Sequence, residues 1–369
     1  MSNGIGTNNN INSFAVQGIG KTYAGCNSGV FVSTDNGASW TSVFSTNDVE
    51  ALSVDGIKIY AGTAAEGVYL STNSGTNWTQ TSLNNVHVYS IASQNFVFAG
   101  TENGVYLSSN SGTNWTLTSL NIRTNAVIIG GSNVFAGTSN GVYLSTNFGS
   151  SWDQVFTNGN SILSLAVNVS FIYAGTEGQG VFLSLDNGVN WAQSALNNQT
   201  CRSIIAFENN IFAGTTAGSG IYLSPDAGAT WTPKNQGFTS PPSTGALIVN
   251  NNFIFAGTAT ESIWRRSYSE ILSVQNISTE IPDGYSLDQN FPNPFNPETK
   301  INFNIKERSL VKLNVFDALG KELDEIVNEE LLPGTYQTNF NGSGYNSGVY
   351  FYRLTSDNYT ETKKMLLIK

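Results

Sequence analysis

Residues 67–71 (GVYLS) alternate between apolar and small or polar positions, the period of a half-buried strand. Residues 72–77 (TNSGTN) then lose every large apolar side chain and carry turn chemistry. Asn73 can hydrogen-bond the turn backbone, Gly75 can take the positive φ of a tight hairpin, and Ser71 can offer its hydroxyl to the same turn. A second strand follows and carries Trp78. The same pattern recurs at 29–40 (GVFVSTDNGASW), 104–115 (GVYLSSNSGTNW), 141–152 (GVYLSTNFGSSW), 180–191 (GVFLSLDNGVNW) and 220–231 (GIYLSPDAGATW). Its tryptophans Trp40, Trp78, Trp115, Trp152, Trp191 and Trp231 stand 38, 37, 37, 39 and 40 residues apart. A fixed period in this range predicts a repeat architecture. An aromatic at one place in each copy is best used as a plug between neighbouring sheets, and losing one is expected to cost about 3–5 kcal/mol.

A second marker, Tyr-Ala-Gly or Phe-Ala-Gly, precedes each turn motif and occurs seven times, at Tyr23, Tyr60, Phe98, Phe135, Tyr173, Phe212 and Phe255. One more strand lies ahead of each, as at 88–93 and 162–167. Four antiparallel strands every 37–43 residues predict a β-propeller blade. Small residues recur on the first strand, where a blade narrows toward the axis: Ser13, Ala51, Ser90, Ala126, Ser164, Ser203 and Ala246. The expectation is an all-β chain with seven blades. The last, residues 245–267, lacks the turn motif. Its outer strand is expected from 271–277 or from sequence upstream, and six blades plus a cap is the alternative.

The key turn position is Asp35, Asp186 and Asp226 in half of the copies and Asn73, Asn110 and Asn147 in the others. A catalytic acid or metal ligand would not survive as an amide, whereas a turn-folding acceptor would. The repeats resemble Asp-box (BNR) repeats of sialidases, sortilin-like receptors and photosystem II assembly propellers. The resemblance covers most of residues 12–268. It implies Asp-box hairpins on the face away from the binding site.

Charge changes the picture of partners. Only 11% of the 369 residues are charged and the net charge is −10, so no basic stripe is available to neutralise a nucleic acid. No apolar run is long enough for a transmembrane helix. Cys26 and Cys201 fall in repeats that are not neighbours in a ring, so no disulfide is expected. His87 is the single histidine. Neither a Ser-His-Asp arrangement nor a zinc cluster assembles, so no cofactor and no metal site are assigned.

Residues 1–270 hold 13 acidic and 7 basic residues, and the last 99 hold 13 and 9. This shift places a boundary near 270–285. The expected domains are 1–278, a linker at 279–285 and a C-terminal domain at 286–369. Residues 1–10 (MSNGIGTNNN) lack the positive start and apolar core of a signal peptide. They resemble the tail of a repeat, so a native chain beginning upstream is expected.

Loops that vary between otherwise uniform repeats point to a functional face. At the entrance of the first strands stand Asn12, Glu50, Tyr89, Asn125 and Arg202, with Asp48, His87 and Arg123 two residues earlier. The loops after each Ala-Gly-Thr add Glu66, Glu102 and Glu177. Charge and aromatics around a channel mouth would suit an extracellular glycan or protein. Set against the sialidase resemblance, the arginine trio and the Arg-Ile-Pro start are lacking: Arg265 and Arg266 point opposite ways on one strand, leaving Arg123 and Arg202. Asp-box xyloglucan hydrolases use two propellers, and only one is read here. No catalytic residue is assigned, and a glycoside hydrolase-like enzyme stays as an alternative.

From residue 286 the text changes to SLDQNFPNPFNPETKINFNI. Short alternating strands separated by turn signals predict a small Ig-like β-sandwich. This part resembles a type A C-terminal sorting domain of the Bacteroidota type IX secretion system. The resemblance rests on 290–297 (NFPNPFNP), 311–321 (VKLNVFDALGK), 333–336 (PGTY), 347–354 (SGVYFYRL) and 363–369 (KKMLLIK). It implies a sorting signal at Pro292, Asn293, Pro294, Phe295, Gly348, Tyr350, Lys363, Lys364 and Lys369. It also implies passage through the periplasm, contact with the type IX machinery, and release or display outside the cell. A structural subunit with self-association in a surface layer or filament is a further alternative.

Overall fold

The computed structural model describes residues 4–6, 9–168, 171–208, 210–235, 237–259, 261–271, 274–278, 280–357 and 359–369, with the backbone alone for 269, 270, 275, 276, 329 and 330. The chain divides into two units, residues 1–268 and 269–369.

In the first unit, the described residues form seven antiparallel sheets in chain order, at residues 11–44, 49–80, 88–117, 124–156, 162–193, 201–233 and 244–267. Six have four strands in simple succession and the seventh has three. The first strands pack side by side in a closed ring, and Thr244–Asn250 returns to Ile11–Val16. Each second strand, such as Lys58–Thr63, is buried almost throughout. It carries the Tyr-Ala-Gly or Phe-Ala-Gly marker. The small residue of every first strand pairs with the marker glycine, as in Ser13 with Gly25 and Ala246 with Gly257. A larger side chain there would collide with the neighbouring sheet: a Cβ on Gly62 would meet Val88.

The repeat turns share one hydrogen-bond pattern. Ser71 donates its hydroxyl to Asn73 Oδ1 at 3.0 Å, Gly75 N donates to Ser71 Oγ at 2.9 Å, and Asn77 N donates to Asn73 Oδ1 at 2.9 Å. The Asp copies keep this pattern and use the second oxygen: Thr230 donates to Asp226 Oδ2 at 2.7 Å. Asn147 instead donates through Nδ2 to Ser151 Oγ at 2.9 Å. Either side chain completes the turn, which accounts for the Asp/Asn exchange. The tryptophans do bridge to the preceding sheet. Trp78 stacks on Phe44 at 4.9 Å and Trp191 on Phe156 at 4.8 Å. The other repeat tryptophans are half-buried, whereas Trp40 gains cover from Ile5, Phe14, Phe255 and Ile263. The plug between neighbouring sheets is most deeply buried at Trp40, which is 4% exposed.

Among the described residues, the candidate outer strand at 271–277 does not join the seventh sheet. Gln275–Ser278 pairs with Gly334–Asn341 in the second unit. Two four-stranded antiparallel sheets make up that unit. One holds Gln275–Ser278, Gly334–Asn341, Glu298–Ile305 and Ser286–Leu287, and the other Glu322–Leu331, Ser309–Phe316, Gly348–Ser356 and Tyr359–Leu367. Ile301 and Phe303 from the first meet Leu313, Val315, Tyr352 and Leu354 from the second in one core.

Candidate functional site

Every first strand of the ring slips register near its start. The slip falls between Ile11 and Ser13, Val49 and Ala51, Thr124 and Ala126, Ile162 and Ser164, Cys201 and Ser203, and Thr244 and Ala246. In the third sheet it lies opposite Gly100 and Thr101. The residues squeezed out of the ladder are Asn12, Glu50, Tyr89, Asn125, Leu163, Arg202 and Gly245. A bulge leaves its extra residue unpaired and re-aims its side chain. The entrance residues singled out in the sequence are therefore bulge residues, one per strand of the inner ring. Leu163 and Gly245 hold the same position but carry no polar side chain that would mark them in the sequence.

Two of them tie neighbouring strands together. Asn12 Nδ2 donates to Val49 O at 3.2 Å, and Asn125 Nδ2 donates to Ile162 O at 2.9 Å. Glu50 feels Arg202, although the two come from the second and sixth sheets. Burial, then Asp48, pushes the Glu50 carboxyl up, and Arg202 opposes the rise.

A tighter cluster sits on the third and fourth sheets. The His87 and Tyr89 rings stack at 3.9 Å, and the Arg123 guanidinium lies 4.5 Å from the centre of the Tyr89 ring. Arg123 Nε donates to Asn125 Oδ1 at 3.1 Å, and His87 N donates to Glu102 Oε1 at 3.4 Å. Burial pushes the His87 pKa down, Arg123 adds to this, and Glu102 and Asp48 oppose it. His87 Nε2 is enclosed and has no hydrogen-bond partner among the described residues.

Two predicted residues stand apart. Glu66 turns outward, where Oε2 accepts from Thr46 Oγ1 and from the Tyr69 hydroxyl, each at 2.9 Å. Glu177 is exposed, and no described side-chain contact joins it to the cluster. Among the described residues no group of three or more His, Cys, Asp or Glu could hold a metal ion. Cys26 and Cys201 are free and buried, and burial pushes the Cys201 thiol up to about 12.

In the second unit the sequence singled out as a sorting signal is folded against the C-terminal strand. Phe295 is 2% exposed, its N donates to Leu366 O at 2.9 Å, and Ile368 N donates to Phe295 O at 3.0 Å. Leu366 N donates to Asn293 Oδ1 at 3.0 Å. The peptide bonds before Pro292 and Pro294 are cis. Tyr350 donates its hydroxyl to Asn346 O at 2.7 Å, and Gly348 pairs with Leu367. Lys363 pairs with Glu361 at 3.0 Å, Lys369 Nζ donates to Ser343 O at 2.7 Å, and Lys364 is exposed.

Comparison with solved structures places the fold first. The chain is similar to YCF48 from Cyanidioschyzon merolae, with a TM-score of 0.58, 14% identity, and 71% of this chain and 96% of that one covered. A second such structure, titled as YCF48 bound to D1 peptide, gives a TM-score of 0.58 at 16% identity over 72% and 95% of the two chains. The extracellular domain of BT4673 from B. thetaiotaomicron gives 0.61 at 17% identity, over 82% of this chain and 45% of that one. An ancestral GH74 enzyme gives 0.58 at 16%, over 98% and 62%. The chain thus spans less than two thirds of the last two. At these identities the likeness shows an all-β, propeller-like fold.

Residues 289–369 match the family described as the secretion system C-terminal sorting domain. That tail implies interaction with the type IX secretion machinery and export to the outer surface or beyond. No curated protein matches the chain. Among the described residues no helix is long and apolar enough to cross a membrane.

Proposed function

We propose that this chain is a secreted or surface-displayed binding protein without catalytic activity. Its first unit is read as a seven-bladed Asp-box propeller that holds an extracellular glycan or protein on its loop side. Its second unit is read as an Ig-like sandwich that addresses the chain to type IX export. The single observation carrying the binding role is the set of re-aimed bulge side chains at one end of the inner ring. There the scaffold repeats while Glu50, Tyr89, Asn125 and Arg202 do not. The shared turn bonds and the closed succession of sheets support the Asp-box reading and the blade count. A YCF48 structure titled as bound to a peptide supports a protein ligand as one option.

The test is a screen of the full chain against glycan and secreted-protein arrays, with product analysis of every hit. Binding without cleavage, abolished by Tyr89→Ala or Arg202→Ala, is expected. Cleavage of a bound glycan would overturn the non-catalytic role. Silence on both arrays would overturn the binding role in favour of self-association.

A further inference from the structure

An open groove of about 640 Å³ lies between the first two sheets. It is walled by the turn at Asn27, the connection at Thr46 and Asn47, and the loop at Glu66, with ring surface from Phe44 and Tyr69. We propose that this groove is a seat for a neutral saccharide. The inference rests on the reading that the first unit captures a ligand on its loop side, and it names the ligand class and the place.

The lining chemistry selects the class. Amides and hydroxyls offer both donors and acceptors, and Glu66 offers an acceptor. Only Oε2 of Glu66 is engaged by the protein; Oε1 accepts nothing among the described residues. No Lys or Arg lines the groove, so a sulfate, phosphate or carboxylate ligand would meet Glu66 with no cation to offset it. A sugar supplies hydroxyls for the polar wall and C–H faces for the rings. The wall is also fixed before any ligand arrives. Asp48 N donates to Asn27 O and Ala64 N to Asp48 O, both at 3.0 Å, and Gln80 Nε2 donates to Glu66 O at 2.7 Å.

The chain contains its own control. Between the fourth and fifth sheets the same aromatic group recurs, with Phe156 at 4.8 Å from Trp191 and 5.0 Å from Phe182. The same cross-loop bond recurs too, from Asn158 Nδ2 to Gln179 Oε1 at 3.0 Å. There Gln179 stands where Glu66 does, and Phe182 where Tyr69 does. The scaffold is satisfied by an amide and a plain phenyl ring. Folding therefore does not require the carboxylate and phenol of the first groove.

The experiment is affinity electrophoresis of the full chain through neutral and anionic polysaccharides, followed by calorimetry with oligosaccharides of any retained polymer. The double variant Glu66→Gln, Tyr69→Phe copies the fourth–fifth chemistry and should melt like the parent. At least a tenfold loss of affinity for a neutral oligosaccharide is expected. Unchanged affinity in that variant, retention by anionic polymers only, or no retention by any neutral polymer would each overturn the saccharide seat. Binding that survives the double variant but fails on Tyr89→Ala overturns the groove and leaves the loop-side reading intact. Protein capture without glycan retention does the same. No ligand of either kind overturns both.

Discussion

Phe255 of the last sheet lies directly against Gly37 in the first repeat turn, so that a Cβ on Gly37 would overlap its ring. Gly75 faces Tyr23, Gly112 faces Tyr60, Gly149 faces Phe98 and Gly188 faces Phe135 in the same way, but there an added Cβ would stand 3.3, 3.1, 3.1 and 3.5 Å from the ring. Five of the six turn glycines thus cap the marker aromatic of the preceding sheet; Gly228 faces Ser194 and Leu183 instead. At Gly37 the preceding sheet is the seventh, so this one contact lies on the seam that closes the ring. Trp40 and Phe14 pack on the same ring, at 6.3 and 6.3 Å from Phe255.

Gly37→Ala should therefore destabilise the first unit through two effects. Gly37 has φ of 80°, which costs an L-residue about 1–2 kcal/mol. Overlap with Phe255 adds about 1–3 kcal/mol. Gly56→Ala is the matched control, since φ there is 60° and nothing lies within 4 Å. All 7 tryptophans lie in residues 1–268, so urea unfolding followed by tryptophan fluorescence reports this unit alone. Equal midpoints for the two variants would show that Phe255 does not restrain the turn.

The tryptophans should separate in the same assay. Trp40→Ala removes a side chain that is 4% exposed and should cost about 3–5 kcal/mol. Trp115 is half-buried and donates Nε1 to Gly112 O at 3.1 Å and Thr81 Oγ1 at 3.2 Å. Trp115→Ala should cost about 2 kcal/mol. A cost for Trp115 equal to that for Trp40 would mean that the outer edge packs as tightly as the seam.

Local chemistry made much of this readable in advance. Ser71, Asn73 and Gly75 lie within five residues, so their turn could be inferred from side-chain type alone. The pairing of Ser13 with Gly25 follows from a volume limit that leaves small residues at fixed spacing. What stayed hidden depends on neighbours far along the chain. Glu66 is met by Thr46, 20 residues away, and is drawn outward from the cluster it was grouped with. Arg202 acts electrostatically on Glu50 from the sixth sheet only because the ring closes, which no local pattern encodes. A strand was legible at 271–277, but only the pairing of Gln275–Ser278 with Gly334–Asn341 decides which sheet it joins.

Acid should weaken the repeat turns in a defined window. The Ser39 hydroxyl and N–H, with the Ser33 hydroxyl, hold Asp35 at about 2. Its folded pKa is depressed, so its contribution is complete above the ordinary Asp value of about 4 and is lost as pH falls through about 2. Asp35→Asn should fold, because Asn147 fills the same role beside Ser151. That variant should lose less stability than the parent between about pH 4 and pH 2, as measured by urea midpoints across that range. Identical pH profiles would remove Asp35 from the acid response.

The Glu50–Arg202 relation can be tested by titrating each partner's absence. Burial and then Asp48 raise the Glu50 pKa, and Arg202 works against both. A carboxylate raised in the folded state is disfavoured when ionised, so folded stability falls as pH climbs from its unfolded value through its folded one. Arg202→Ala should push the Glu50 pKa further up, and Asp48→Asn should bring it down. Carbon-detected NMR of the glutamate side-chain carboxyls reads both shifts directly. Opposite shifts would place the two residues within electrostatic reach across the mouth of the inner ring, where a ligand would have to engage both. A Glu50 pKa indifferent to Arg202→Ala would separate the two sides of the mouth, and the ligand-facing surface would contract to the stack of His87, Tyr89 and Arg123.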